Sequence, residues 1–143
     1  MSYIKGGLNH ITLQVKNLKR SDEFYTNLLG LKKVGSRPKM NFYSSGRYNH
    51  ELALVENSRL NYLNNTSLLH FALNVKNKEG LNELKRKLQH ADYFVSDKIN
   101  HITSHSFYTQ DPDGHVIELT LDQPKTEWGE NPNAFKEDYR LTR

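Results

Sequence analysis

The chain has 143 residues, of which 36% are hydrophobic and 25% charged, with eight glycines, four prolines and no cysteine. That length and balance fit one ordinary folded domain, and they exclude a disulfide framework, a thiolate nucleophile and any cysteine-ligated metal. The formal net charge is +4, with ten basic and four acidic residues in Met1–His70 against ten and twelve in Phe71–Arg143. The basic residues Lys16, Lys19, Arg20, Lys32, Lys33, Arg37 and Lys39 are scattered without interleaved aromatics, which points away from nucleic acid and leaves room for an anionic ligand. No run reaches the ~18 apolar residues of a membrane span, and Met1–Asn9 lacks a signal-peptide core, so a cytoplasmic location without membrane attachment is expected.

In chain order, the first element is an alternating run, His10-Ile-Thr-Leu-Gln-Val-Lys-Asn17, which returns sixty residues later as His70-Phe-Ala-Leu-Asn-Val-Lys-Asn77. Ile11, Leu13 and Val15 oppose His10, Thr12 and Gln14; Phe71, Leu73 and Val75 oppose His70, Ala72 and Asn74. Each run predicts a strand with one apolar face and a polar face that carries its histidine. A helix follows each: Ser21 as N-cap, Phe24 and Leu28 as an i,i+4 pair and Gly30 as terminator in the first copy, and a Leu81, Leu84, Leu88 stripe ending near His90 in the second. Extended segments are predicted over Leu31–Ser36, Met40–Ser44 and Tyr48–Glu56, then over Tyr93–Asp97, Thr103–Thr109 and His115–Leu121, with Ser44-Ser45-Gly46 and Asp111-Pro-Asp-Gly114 as turns. Each copy therefore reads strand–helix–strand–strand–strand, with Asn57–Leu68 as the link. The fold class is α+β: two tandem βαβββ modules, about 8–56 and 69–121, expected to form a curled mixed sheet, a cup whose inner face would carry the histidines and could surround a metal site. One domain over 1–122 is expected, followed by a polar tail over 123–143 in which Trp128 serves as an anchor or a lid.

With the polar faces turned inward, His10 and His70 hold equivalent places on the two first strands. Val116, Glu118 and Thr120 share one face of the last strand, so Glu118 points to the side of the histidines. Two neutral imidazoles and a carboxylate form the facial triad suited to non-haem iron(II), and manganese, nickel or zinc also suit it. A lone histidine at a strand start is more often just a satisfied polar residue, but its repetition and a glutamate inside an apolar run favour metal.

These features resemble the vicinal oxygen chelate superfamily, whose members pair βαβββ modules around a metal. The resemblance covers about Leu8–Leu121. Within it, Ile99-Asn-His101-Ile-Thr-Ser-His-Ser-Phe107-Tyr108-Thr-Gln-Asp111-Pro112-Asp-Gly114-His-Val-Ile-Glu118 resembles the extradiol ring-cleavage dioxygenase motif. The resemblance implies His10, His70 and Glu118 as metal ligands, and His101 and Tyr108 as groups hydrogen-bonding substrate and oxygen species. It makes His50, in Asn49-His50-Glu-Leu-Ala-Leu54, the acid–base histidine. Strand parity puts Ala53 rather than His50 on the ligand face, so His50 has to reach in from the strand's start or through a bulge. The same alignment places Ala53 where glyoxalase I carries a fourth ligand, which disfavours a four-ligand site unless Glu51 compensates. His105 lies near the pocket by sequence, and His115 falls on the face opposite Glu118.

The implied activity is dioxygen-dependent cleavage of a catechol-like aromatic substrate by an iron(II) enzyme, a homodimer by resemblance. Two alternatives stand beside it. One is another metal-dependent member, an isomerase, epimerase or thiol transferase acting on a chelating oxyanion. The other is a protein that binds an aromatic ligand without metal. The duplicated modules are compatible with pairing inside one chain or exchange between two chains.

Overall fold

A computed structural model describes residues 3–61, 68–135 and 139–140. The chain divides into two compact units, Met1–Asn64 and Asn65–Arg143, and the repeat seen in the sequence is a repeat of fold. In the first unit β1 (Ile11–Val15) leads into α1 (Leu18–Glu23), which runs on as a π-helical turn over Phe24–Leu28. Then come β2 (Lys32–Arg37), β3 (Met40–Ser44) and β4 (Leu52–Glu56). The second unit has β5 (Phe71–Asn74), α2 (Lys78–His90), β6 (Ile99–Asn100), β7 (Ser104–Gln110) and β8 (Val116–Asp122), followed by α3 (Lys125–Trp128) and β9 (Tyr139–Arg140).

The sheets have the same wiring. The first is ordered β1-β4-β3-β2 and the second β5-β8-β7-β6-β9. In each, the opening strand pairs in parallel with the module's last strand and the remaining pairs are antiparallel. Both sheets are open, so the chain is α+β with two βαβββ units. Burial follows the predicted alternation: Leu13, Val15, Leu52, Leu54, Phe24 and Tyr25 are buried in the first unit, and Phe71, Leu81, Leu88, Phe107, Ile117 and Leu119 in the second. Helix α1 packs on β3 and β4, and α2 on β7 and β8. Thr12 and Gln14, like Ala72 and Asn74, are exposed on the opposite face of their strands.

Several boundaries differ from the sequence expectation for physical reasons. The N-cap of α1 is Asn17, not Ser21. Asn17 Oδ1 accepts the Arg20 amide at 2.9 Å, and Ser21 sits fully buried inside the helix. Asn77 does the same for α2, accepting the Gly80 amide at 2.8 Å, so the last residue of each repeated octapeptide is a cap. Strand β4 starts at Leu52; just before it the Glu51 backbone still bonds to Tyr43 and Ile11, while its carboxylate turns back onto the preceding loop. It accepts the Ser45 hydroxyl at 2.6 Å and the Ser45 amide at 3.0 Å. Over Tyr93–Asp97 the only regular pairing is a bridge from Val95 to Thr109. Side chains take the other ladder positions: Ser96 Oγ accepts the Tyr108 amide at 2.9 Å and the Thr109 hydroxyl donates to the Phe94 carbonyl at 2.7 Å. Residues 62–67, half of the link Asn57–Leu68, lie outside the described residues. In the tail, Trp128 Nε1 donates to the Gln123 carbonyl at 2.9 Å and the Trp128 ring meets Phe135 edge-on at 5.7 Å. Strand β9 adds to the edge of β6.

The Asp111–His115 turn fixes the start of β8. Asp111 Oδ1 accepts the amides of Asp113 and His115, each at 2.9 Å, while Oδ2 lies 2.8 Å from His115 Nδ1. Gly114 takes the left-handed conformation at φ +84°, where a side chain is strained. Burial pulls the His115 pKa down, but the hydrogen bond and charge of Asp111, with Asp113 beside it, outweigh this and raise it above the ordinary value. A raised folded-state pKa stabilises the fold fully below about pH 6.5, and that contribution is lost as pH rises through the folded value. Thermal melts between pH 5 and 9 are expected to show this loss in the native chain. Asp111→Asn should flatten it, whereas an unchanged pH profile in that variant would detach His115 from the effect.

Candidate functional site

In the second unit the strand register places the predicted groups side by side. Ala72, two residues after His70, pairs with Glu118, and Glu118 pairs on its other side with Tyr108. Directly paired residues share a face, so Glu118 and Tyr108 stand with His70 on the face away from α2. His70 Nε2 lies 3.2 Å from Glu118 Oε2, and His101 Nε2 lies 3.4 Å from Glu118 Oε1. Two imidazoles thus converge on one carboxylate, one at each oxygen. The Glu118 side chain retains only 13% exposure. The Tyr108 ring meets the rings of both histidines edge-on, at 5.3 Å from His70 and 6.5 Å from His101.

His101 reaches this cluster from the tight connection between β6 and β7. Its amide donates to the Ser104 carbonyl at 2.8 Å, and the next residue, Ile102, has φ +70°. A β-branched residue in that region is strained by roughly 1–3 kcal/mol. The Asn100 side chain steadies it by accepting the Ile102 amide at 2.7 Å. The fully buried Ser106 hydroxyl lies 2.9 Å from His101 Nε2. Sequence reasoning missed Ser106, although its spacing two residues before Tyr108 puts it on the same face. His105 does not join this group: it alternates with Ser106 and lies on the Phe107 side, where burial lowers its pKa, Glu127 raises it and Lys78 lowers it further.

The first unit repeats the register with different residues. Thr12, two after His10, pairs with Ala53, and Ala53 pairs with Phe42. Ala53 is therefore the counterpart of Glu118, and Phe42 that of Tyr108. The His50 ring is 4.5 Å from the His10 ring and meets Phe42 edge-on at 5.2 Å. His50 precedes β4 and gains this face from the strand's start, as parity required. Glu51 does not substitute for the missing carboxylate, because its oxygens are engaged by Ser45. Burial pushes the Glu51 pKa up, but the Ser45 hydroxyl and the other bonds from Ser45, Ser44 and Arg47 outweigh it and hold it low. An asparagine precedes both histidines: His10 Nδ1 lies 2.8 Å from Asn9 Oδ1, and His50 Nδ1 contacts Asn49 Oδ1. A carboxamide oxygen accepting from Nδ1 leaves Nε2 with its lone pair free.

Family comparison covers the stretch that carries both βαβββ units. The model described as Glyoxalase/Bleomycin resistance protein/Dioxygenase superfamily covers residues 7–119. The chain belongs to this superfamily. Catechol-2,3-dioxygenase of Bacillus subtilis (strain 168) is 30% identical to it over 111 residues, 73% of this chain and 37% of that protein. The chain thus spans little more than a third of that relative's length. Among solved structures, an integron cassette protein from the mobile metagenome of Halifax Harbour sewage outfall is 29% identical with a TM-score of 0.66, covering 82% of this chain and 99% of that one. The fosfomycin resistance protein FosX from Listeria monocytogenes shares the fold at 22% identity and a TM-score of 0.68, over 87% and 99% of the two chains.

Of the superfamily site residues expected from sequence, the second unit gathers His70, His101, Tyr108 and Glu118, and the first gathers His10 and His50. Among the described residues no three His, Asp or Glu side chains form a ready-made metal cage. No helix among them is long and apolar enough to cross a membrane. Ser106→Ala is expected to lower stability by about 1 kcal/mol and to shift the ring-nitrogen NMR signals of His101. Unchanged His101 signals in a folded variant would show that Ser106 does not hold the imidazole.

Proposed function

We propose that the chain is a metal-dependent, extradiol-type dioxygenase that cleaves a catechol-like aromatic substrate with dioxygen. The observation that carries this is the convergence of His70 and His101 on the two oxygens of Glu118, with Tyr108 against both rings. The similarity to a catechol-2,3-dioxygenase across 111 residues supports it.

The donor set fits a divalent first-row metal, since imidazole nitrogen and carboxylate oxygen are the ligands such ions prefer. His10, His70 and Glu118 would hold it, and iron(II) is the metal proposed, with manganese, nickel and zinc as competitors for the same ligands. When bound, the metal supplies Lewis acidity and open positions for the vicinal substrate oxygens and for dioxygen. The asparagine contact at His10 Nδ1 leaves Nε2 as its coordinating atom. The rest of the chemistry belongs to the side chains. His50, with Nδ1 turned to Asn49, accepts a proton from a catechol hydroxyl at Nε2 and later returns it. His101 and Tyr108 orient the substrate and stabilise negative charge as it develops. Phe42, beside His50, supplies an apolar wall against the aromatic ring.

A four-ligand glyoxalase-type site fits less well, because the position equivalent to Glu118 is Ala53 and Glu51 is engaged elsewhere. Protein loaded with iron(II) under anaerobic conditions is expected to consume oxygen with at least one of a panel of catechols and to give a coloured ring-opened product. His50→Gln should slow turnover by roughly a hundredfold or more. Bound iron without oxygen uptake across the panel would refute the assignment, and turnover of an oxyanion substrate without oxygen would replace it.

A further inference from the structure

Resting on the dioxygenase proposal, we infer that Arg37 sets the substrate class: it binds an anionic substituent, a carboxylate above all, carried on the aromatic ring. Register places it. Arg37 pairs with Met40 and Gly35 with Phe42 across β2 and β3; Phe42 pairs with Ala53, and Ala53 with Thr12. Paired residues share a face, so Arg37 stands on the His10 and Phe42 face of the first sheet. The buried Leu52 and Leu54 alternate to the other face.

The Arg37 guanidinium carbon lies over the Phe42 ring, 5.4 Å from its centroid. The same ring meets His50 edge-on at 5.2 Å. Cation, aromatic wall and proposed base therefore form one continuous row on one face. A guanidinium over an aromatic face makes a cation–π contact through its π-face, which does not consume its N–H donors, and those donors are the groups that bind a carboxylate.

Arg37 is exposed, and among the described residues no carboxylate pairs with it. Nearby acids are committed elsewhere. Asp22 accepts the Tyr43 hydroxyl at 2.7 Å and pairs with Lys33 at 3.3 Å, Glu51 holds Ser45, and Glu56 accepts the Leu18 amide at 2.9 Å. The excess of basic over acidic residues in the first half of the chain adds a field that attracts anions.

The test compares 3,4-dihydroxybenzoate with 4-methylcatechol, which differ mainly in the charged group, on the iron-loaded native chain, Arg37→Gln and Arg37→Lys. The ratio of kcat/KM for the acid over the neutral catechol is expected to fall roughly tenfold in Arg37→Gln, through KM rather than kcat. Arg37→Lys should recover part of it. In parallel, calorimetric titration of the metal-free protein with 3,4-dihydroxybenzoate reads binding without turnover, and Kd is expected to rise by about the same factor. Among the described residues the Arg37 side chain makes no hydrogen bond or ion pair and touches Phe42 from an exposed position, so melting temperatures should stay close among the three proteins. An unchanged selectivity ratio with active enzyme overturns the role of Arg37 and leaves the dioxygenase proposal standing. Absence of turnover with Arg37-dependent carboxylate binding does the reverse. Absence of both overturns both.

Discussion

In each unit the opening strand lies parallel to the closing strand, and that pairing governs the site. It puts the residue two past the histidine beside position 53 in one unit and position 118 in the other. Because strand side chains alternate with period two, a slip of one residue would send Glu118 into the apolar layer and Leu119 into the cluster. The buried Ile117 and Leu119 make such a slip costly, so the hydrophobic pattern that fixes the core also fixes the aim of the carboxylate. The turn at Asp111 adds a second restraint by setting where β8 begins.

The duplication is geometrically faithful and chemically asymmetric. Tyr108 corresponds to Phe42 and Glu118 to Ala53 through equivalent antiparallel pairs. One unit therefore carries a carboxylate with its polar neighbours, and the other a histidine pair beside an aromatic wall. A carboxylate with little exposure is expensive unless other groups meet its oxygens, and here two imidazoles do so. The strain at Ile102, held by Asn100, is consistent with a backbone bent to deliver His101 to that place.

Much of this was legible in the sequence because it depends on period and spacing. The two octapeptides mark the start of each module, and the alternation in Val116–Leu121 alone puts Glu118 on the histidine side. The misses lie where a side chain replaces backbone pairing. Ser96 and Thr109 take over ladder positions that Tyr93–Asp97 was expected to fill, and the Glu51 carboxylate closes onto Ser45 in the loop before β4. Ser21 resembled a cap because it precedes acidic residues, whereas the repeated Asn17 and Asn77 were the stronger signal. Ser106 and Arg37 gave no motif at all: the contact of Ser106 with His101 and that of Arg37 with Phe42 depend on strand pairing, which only register reveals.

The proposed function requires one metal per chain, with His10, His70 and Glu118 as its proposed ligands. Metal content after iron(II) loading and removal of excess, measured on the native chain and on Glu118→Ala, His70→Ala and His10→Ala, tests it most directly. One metal per native chain, with loss in each folded variant, is the predicted result. Full metal content in folded Glu118→Ala would contradict the account.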